Sequence, residues 1–529
     1  MTEGASTQGP AWTAAARPRA ALRGLGRRRF FASAALAGWS LVLLSAVVAQ
    51  QAAPRVDDYS GHPRVVIISD IGNEPDDQMS LVRLLLYSNE LDIEALIAST
   101  STWQRTTTHP ETMRTLIETY GQVRPNLLLH ASGWPTAQAL EARVFSGQPG
   151  YGLEATGVDK PMSAGAEAIV RAVDREDRRP VWICLWGGPN TLAQALLHVR
   201  ATRSAAALAS FVAKLRVSSI SDQDDSGPWM RREFPGLFYV VEPSTQTGAD
   251  YYYATWTGIS GDVYYRNGAG ADFATVTNEW LDANIRSKGP LGKVYPRFAY
   301  VMEGDTPSFL SLIDNGLSSW GRPDWGGWGG RYIYRQPYGE THAIWTQGGD
   351  LFTRVTSQDT VTGVDRRQYV SDQATIWRWR EAFQHDFAAR MIWTVSDYAH
   401  ANHNPVVEVN GEAGSSPILI DAQVGQPVVL DAGASYDPDG QPLRFDWFHY
   451  PEAGGTGTNL AAVAIARARS SKAVVTPTAV CRPAWLPIGP PCSGTGTAHI
   501  ILAVSDNGSP QLTSYRRIIL TVHPSVTEP

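Results

Sequence analysis

Residues 64–86 read RVVIISDIGNEPDDQMSLVRLLL. The opening RVVIIS is a short unbroken apolar run rich in β-branched residues, the pattern of a strand buried on both faces, as in a parallel sheet. From Asp76 onward the period changes, because Met79, Val82, Leu85 and Leu86 recur at spacings of three and four and predict a helix over 76–87. Between the two lies a loop that places four carboxylates, Asp70, Glu74, Asp76 and Asp77, within eight residues. A strand that passes through a polar loop into a helix is the repeating unit of an open α/β sheet. Ligand sites in such sheets form at the carboxyl ends of the strands, where this loop falls.

Outward from that unit the same rhythm continues. Strands are predicted at IEALIAS from Ile93, PVWICLW from Pro180 and LFYVV from Leu237, and a further helix over Asn190–Val199. A long Trp-rich helical pattern over 372–393 closes this region, and the string AHANHNP ends it. Short alternating strands follow, among them PVVLDAG, PLRFDWF, HIILAVSD and RRIILTV, with the turn Asp437-Pro438-Asp439-Gly440 between two of them. The expected fold is therefore α/β over 63–400, a mostly parallel sheet flanked by helices, followed by an all-β sandwich over 401–529.

The N-terminal residues read as an address. Residues 1–49 hold six Arg and one Glu, and the six Arg all lie within 17–29, just before the apolar run Phe30–Ala49. Arg27-Arg28-Arg29-Phe30-Phe31 resembles a twin-arginine export signal, so the expectation is a secreted or periplasmic protein cleaved near Ala49, with a linker over 50–62. An uncleaved anchor is the alternative, since about 20 apolar residues span a bilayer. The formal net charge is −6, and the chain beyond residue 49 carries 39 basic against 50 acidic residues, or −11. An acidic surface argues against nucleic acid and anionic lipid as partners. Of three cysteines, Cys184 reads as a buried thiol, whereas Cys481 and Cys492 flank a Pro-rich loop and are candidates for a disulfide.

Clustered carboxylates repel one another unless a cation, protons or solvent relieve them. Oxygen-only ligands suit Ca²⁺ better than Zn²⁺, and no His or Cys cluster competes. Asp76 and Asp77 as simple helix caps are the plainer reading, which their position after a strand opposes. A second acidic string, Asp222, Asp224 and Asp225 in SISDQDDSGPW, is read either as a solvated loop or as part of a sugar-facing mouth beside Trp229. With 18 Trp in the chain, aromatic stacking on sugars is a further expectation. Trp103 and Trp256 are placed at a pocket wall, Trp320, Trp325 and Trp328 in a Gly-rich string are read as exposed or as core, and Trp377, Trp379 and Trp393 as helix packing. No Lys-bearing phosphate loop and no Gly-x-Ser-x-Gly elbow is present.

The loop at Asp70–Asp77 resembles the Asp-Pro-Gly-x-Asp-Asp loop of the nucleoside hydrolases, and WGGPNTLAQAL (186–196) is similar to their second signature turn. NEPDDQMS, WGGPNTLAQAL, SISDQDDSGPW, ATWTGISGD and EGDTPSFL are closer still to a nucleoside-hydrolase-like family of exported proteins labelled cellulose-binding, which end in an Ig-like domain. The resemblance implies that Asp70 is a Ca²⁺ ligand and the base for an attacking water, that Asp77 chelates the ion, and that Asp305 is the late metal ligand. It also implies a backbone carbonyl near Asn190 as a ligand and Asp76 as a holder of sugar hydroxyls. Asn73, Glu74, Trp103, Asn190, Trp229, Trp256 and Glu303 complete the expected substrate-facing set. Two departures stand out: the loop is two residues longer around Asn73-Glu74-Pro75, and Gly304 stands where several nucleoside hydrolases carry a leaving-group His.

The resemblance implies an exported Ca²⁺-dependent hydrolase of N- or O-glycosidic bonds acting on a sugar, nucleoside or oligosaccharide. The alternative is a non-catalytic carbohydrate-binding protein of the same fold. Nucleoside hydrolases form dimers or tetramers, so an oligomer is compatible with the resemblance.

Overall fold

The computed structural model describes residues 61–245, 251–261, 267–347, 357–455, 459–481 and 494–525. The expected export segment, most of the linker and Cys492 lie outside these residues. Strand β1 (Arg64–Ser69) leads through the acidic loop into helix α1 (Pro75–Leu85), then β2 (Asp92–Ala98), α2 (Pro110–His130), α3 (Ala137–Glu141), β3 (Val144–Ser146) and α4 (Ala164–Asp174). The second half of the layer runs β4 (Val181–Leu185), α5 (Asn190–Thr202), α6 (Ala205–Ala213), β5 (Leu215–Ser219), α7 (Ser226–Glu233) and β6 (Phe238–Val240). Strands β7 (Ile333–Arg335) and β8 (Ile344–Thr346) complete a sheet of order β3-β2-β1-β4-β5-β6-β8-β7, parallel except for the β7–β8 pair.

All six residues of β1 are buried, and the two sides of its alternation serve two cores. Val65 and Ile67 pack with Leu81, Leu85 and Met113, while Val66 and Ile68 pack with Ile169, Leu192 and Leu196. This two-sided burial is why the strand reads as a continuous apolar run rather than an alternation. Pro75 opens α1, where its missing N–H is no loss, and Asp76 and Asp77 occupy the first turn. Between β4 and α5 the chain turns back tightly, and Cys184 on β4 is a free thiol whose pKa burial pushes up to about 12.

The C-terminal region forms two main sheets, one of five strands built around Gly496–Ser505 and Thr513–His523, the other of three strands, with a two-stranded ribbon of Glu408–Val409 and Glu412–Ala413 at its start. Trp447, Leu430, Val475, Ile500 and Leu520 lie in their shared core. Cys481, at the end of one strand, is disulfide-bonded.

This region packs directly on the α/β layer. Tyr450, Ala453, Ile501 and Tyr515 belong to the same apolar core as Trp328, Trp379 and Phe383 of the α/β layer. Arg517, fully buried, donates to the carbonyls of Leu317 (2.6 Å) and Gly326 (2.8 Å), and the Tyr450 hydroxyl donates to Asp359 (2.5 Å). At Gly316 a Cβ would lie 1.9 Å from the Tyr515 carbonyl oxygen, so the two backbones meet where no side chain fits. The Gly-rich Trp string is thereby explained. Trp325 and Trp328 are buried and Trp320 is half-buried, because glycines let the loop fold flat beneath the β domain rather than offer its rings to a ligand.

Replacing Arg517 by Ala strands two buried carbonyls, and a loss of about 2–4 kcal/mol of stability is expected. Urea unfolding followed by tryptophan fluorescence measures it, and a change below about 0.5 kcal/mol would show that this contact does not hold the two regions together.

Candidate functional site

In the strand order, β1 pairs with β2 on one side and β4 on the other, so the chain leaves these two neighbours in opposite directions. Their carboxyl ends therefore open a crevice, and the Asp70 loop after β1 and the Trp186 turn after β4 form its floor. The approach is close. A Cβ on Gly187 would lie 2.8 Å from the backbone N and Oδ1 of Asp70, so only glycine fits there.

The floor is tied down by hydroxyls. Ser69 donates to Asp77, Ser101 donates to Asp70, and the backbone N–H of Trp103 donates to the Ser101 oxygen (3.0 Å). Gln104 donates from its side chain to the Asp70 carbonyl (3.1 Å). Asp305 arrives from a late loop just before a helical turn at Pro307–Leu310. Its carbonyl accepts the Ser308 hydroxyl (2.7 Å), which in turn accepts the Trp186 indole N–H (2.8 Å). Asp76, Asp77 and Asp305 each offer a carboxylate oxygen, and these oxygens lie within 4.8 Å of one another. Asp70 stands beside this trio, with its carboxyl turned to Ser101.

A cleft of about 500 Å³ opens above them. Its lining includes Asp70, Asn73, Glu74, Asp76, Asp77 and Asp305, walled by Trp103, Trp186, Tyr251, Trp256 and Tyr300, with Ser221 and Gln223 between. Burial pushes the Asp70 carboxyl up to about 6. Burial, and then the charges of their acidic neighbours, hold Asp76, Asp77 and Asp305 well above the usual carboxylate range. Among the described residues no Lys or Arg forms an ion pair with these four. Oδ2 of Asp305 is buried with no hydrogen-bond partner. Oxygen donors of like charge, unpaired and drawn together, fit a hard divalent cation.

Several expected residues serve the scaffold instead. Asn190 is fully buried behind the crevice, its side chain donating to Thr100 (3.1 Å) and to the Gly150 carbonyl (2.6 Å), and it does not line the cleft. Glu303 is buried against Arg83, the Tyr295 hydroxyl (2.5 Å) and the Thr306 hydroxyl (3.0 Å), which fixes the loop carrying Asp305. Trp229 packs against Phe234 at 5.7 Å with Arg200 over its ring, away from the cleft.

The second acidic string is not sugar-facing, and only Asp225 of its three carboxylates is exposed to solvent. Asp222 pairs with buried Arg231 (2.8 Å), Asp224 accepts the N–H groups of Asn190 (3.2 Å) and Ser226 (2.8 Å), and Asp225 accepts that of Leu153 (2.8 Å). Gln223, within the same string, is the one that faces the cleft, through a signal that the flanking aspartates mask.

Ser101, Ser221, Tyr251 and Tyr300 escaped the sequence reading. Ser101 follows a strand at its carboxyl end and could have been found by that rule; Tyr251 opens a short 3-10 turn and Tyr300 lies in a loop, neither with a sequence pattern. Gly304 has a physical role of its own, since a Cβ there would come 2.9 Å from Asp76 Oδ2 and 3.2 Å from Trp256. The side chain present in several nucleoside hydrolases is excluded here by the approach of Asp76.

Two family models match the chain, one described as the nucleoside hydrolase-like domain of cellulose-binding Sde182, over residues 64–332, and one as the C-terminal domain of cellulose-binding protein Sde0182, over residues 427–522. Among curated proteins none matches. A solved structure of a nucleoside hydrolase-related protein from Saccharophagus degradans, described as associated with carbohydrate metabolism, is 35% identical with a TM-score of 0.71. The alignment covers 88% of this chain and 100% of that one. The PKD domain of KIAA 1837 protein aligns with 22% of this chain and 98% of its own at 21% identity, with a TM-score of 0.15 that carries no argument. The crevice between β1 and β4, the acidic loop within it and the docked C-terminal sheets all fall inside these matches, and the chain belongs to the Sde182 family, whose members join a nucleoside hydrolase-like domain to a characteristic C-terminal domain.

Proposed function

We propose that the cleft is a Ca²⁺-dependent sugar site that hydrolyses a glycosidic bond, in a protein exported by the signal read in its first 49 residues. The observation that carries this reading is the trio Asp76, Asp77 and Asp305, gathered within 4.8 Å with an unpartnered buried oxygen and no cationic side chain. Cellulose-binding is the description attached to the family, and a carbohydrate ligand follows from it. Asp76, Asp77 and Asp305 would hold the cation, which when bound lowers the pKa of a coordinated water. Asp70 lies beside them, held by Ser101, and its carboxyl near neutrality suits the acceptance of a proton from that water. Trp103 and Trp256 exclude bulk water and present apolar faces to a sugar ring.

A second reading, sugar binding without turnover, is favoured by one observation. The lining includes no His, and Gly304 stands where several nucleoside hydrolases carry a leaving-group His.

Asp70→Asn is expected to retain Ca²⁺ uptake and lose turnover of aryl glycosides by about a hundredfold or more. Asp77→Asn and Asp305→Asn are expected to lose both. Saturable glycan binding by the wild type with no turnover supports the second reading, and absence of Ca²⁺ uptake in calorimetry sinks both.

The raised carboxyls also set a pH dependence. Between the unfolded value near 4 and the elevated folded values, the folded chain binds more protons than the unfolded chain, so stability without a cation falls as pH rises through that window. A cation takes over the role of those protons. The expected result is a lower Tm at pH 7.5 than at pH 5 in chelator, and a rise on adding Ca²⁺ that is large at pH 7.5 and small at pH 5. At a hundredfold excess over Kd the gain is about 2.7 kcal/mol. Equal Ca²⁺ effects at both pH values would contradict the assignment.

A further inference from the structure

The cleft has a floor and a rim of different character. Asp70, Asp77, Asp305 and Trp186 lie at the buried bottom, whereas Trp103 is 49% exposed, Tyr300 is 57% exposed, and Asn73 is exposed beside them. Large aromatic rings left in water at the edge of a polar cavity mark a contact surface.

Trp103 is fixed before any ligand arrives. Its backbone N–H donates to Ser101, the same hydroxyl that holds Asp70, and its side chain lies beside Tyr251 in the cleft lining. Tyr251 is itself held by the Ser221 hydroxyl (3.0 Å) and by an edge contact with Trp256 at 5.2 Å. With its backbone held by Ser101 and its ring half in solvent, Trp103 presents an aromatic face at the mouth of the cleft.

The charge of the cleft narrows the ligand further. The lining holds five carboxylates, Asp70, Glu74, Asp76, Asp77 and Asp305, and no Lys, Arg or His. Arg105, two residues beyond Trp103, is committed elsewhere, its guanidinium lying 4.3 Å over Tyr151 and donating to the Thr102 carbonyl (3.2 Å). A phosphate or carboxylate on the ligand would enter a field of its own sign with no partner, a surplus that one divalent cation reduces without reversing. About 500 Å³ lies within the roughly 300–1,000 Å³ of clefts that bury drug-sized ligands, and a single sugar ring does not fill it.

Resting on the sugar-site reading above, we infer that the cleft takes the end of an uncharged glycan of at least two rings, with the terminal ring over the acidic floor and the next ring stacked on Trp103. The rim sets the preference for chain over monomer; the floor sets the rejection of anionic sugars.

Calorimetric titration of the full chain in Ca²⁺ with glucose, thio-linked cellobiose and glucose 1-phosphate tests this. The thio-linked disaccharide is expected to bind roughly tenfold tighter than glucose. Trp103→Ala should erase the difference between the disaccharide and glucose measured on the same variant, and Trp103→Phe should keep part of it. Glucose 1-phosphate should bind no better than glucose. A disaccharide that binds no tighter than glucose, a gain that survives Trp103→Ala, or tighter binding of the phosphate overturns the inference. Ca²⁺ uptake, titrated in parallel on the wild type and on Trp103→Ala, separates the failures. Intact uptake with no gain defeats this inference alone, whereas absent uptake in the wild type defeats the sugar-site reading and this inference with it.

Discussion

Carboxylates withdrawn from water repel one another, and the neighbourhood of the acidic pit is arranged around holding them together in spite of it. Asp70 comes from the loop after β1, Asp76 and Asp77 from the first turn of α1, and Asp305 from a segment more than two hundred residues later, so the fold rather than local sequence brings the set together. Ser69 and Ser101 hold two of the groups, Gly187 and Gly304 supply the space for two close approaches, and the buried Arg83–Glu303 pair sets the loop that delivers Asp305. Placing that ion pair behind the site rather than within it matters. A guanidinium inside the pit would neutralise the carboxylates and remove their demand for a cation.

Much of the α/β layer was legible because its signals are local. Arg64–Ser69 is a strand over the residues read from its apolar run, and Asn190–Thr202 extends the predicted helix by three residues. The turn from β1 into α1 also announces the crevice, since strand, acidic loop and helix follow one another without a gap. The union of Asp305 with the early loop came only from resemblance, because no periodicity links positions so far apart.

What could not be read were the fates of polar residues whose partners lie elsewhere in the chain. Asp222 and Asp224 sit in a string that reads equally as solvated or sugar-facing, until Arg231 is seen to pair with the first and the Asn190 N–H to donate to the second. Glu303 and Asn190 are polar, near the right motifs and buried, yet each is satisfied by protein and turned from the cleft. The Trp-rich loop left two readings open, exposure and core. The glycines that left exposure open instead permit the flat approach that packs Trp325 and Trp328 beneath the C-terminal sheets, so the core reading holds for these two.

Cys184 sits on β4, next to the strand that feeds the acidic loop, and its thiol is sealed at the centre of the sheet. With Cys481 already in a disulfide, oxidants and thiol reagents meet no accessible sulfhydryl at Cys184 while the sheet is closed. Labelling at this one position therefore reports opening of the central layer and little else, giving the molecule an internal clock for how often its main sheet comes apart.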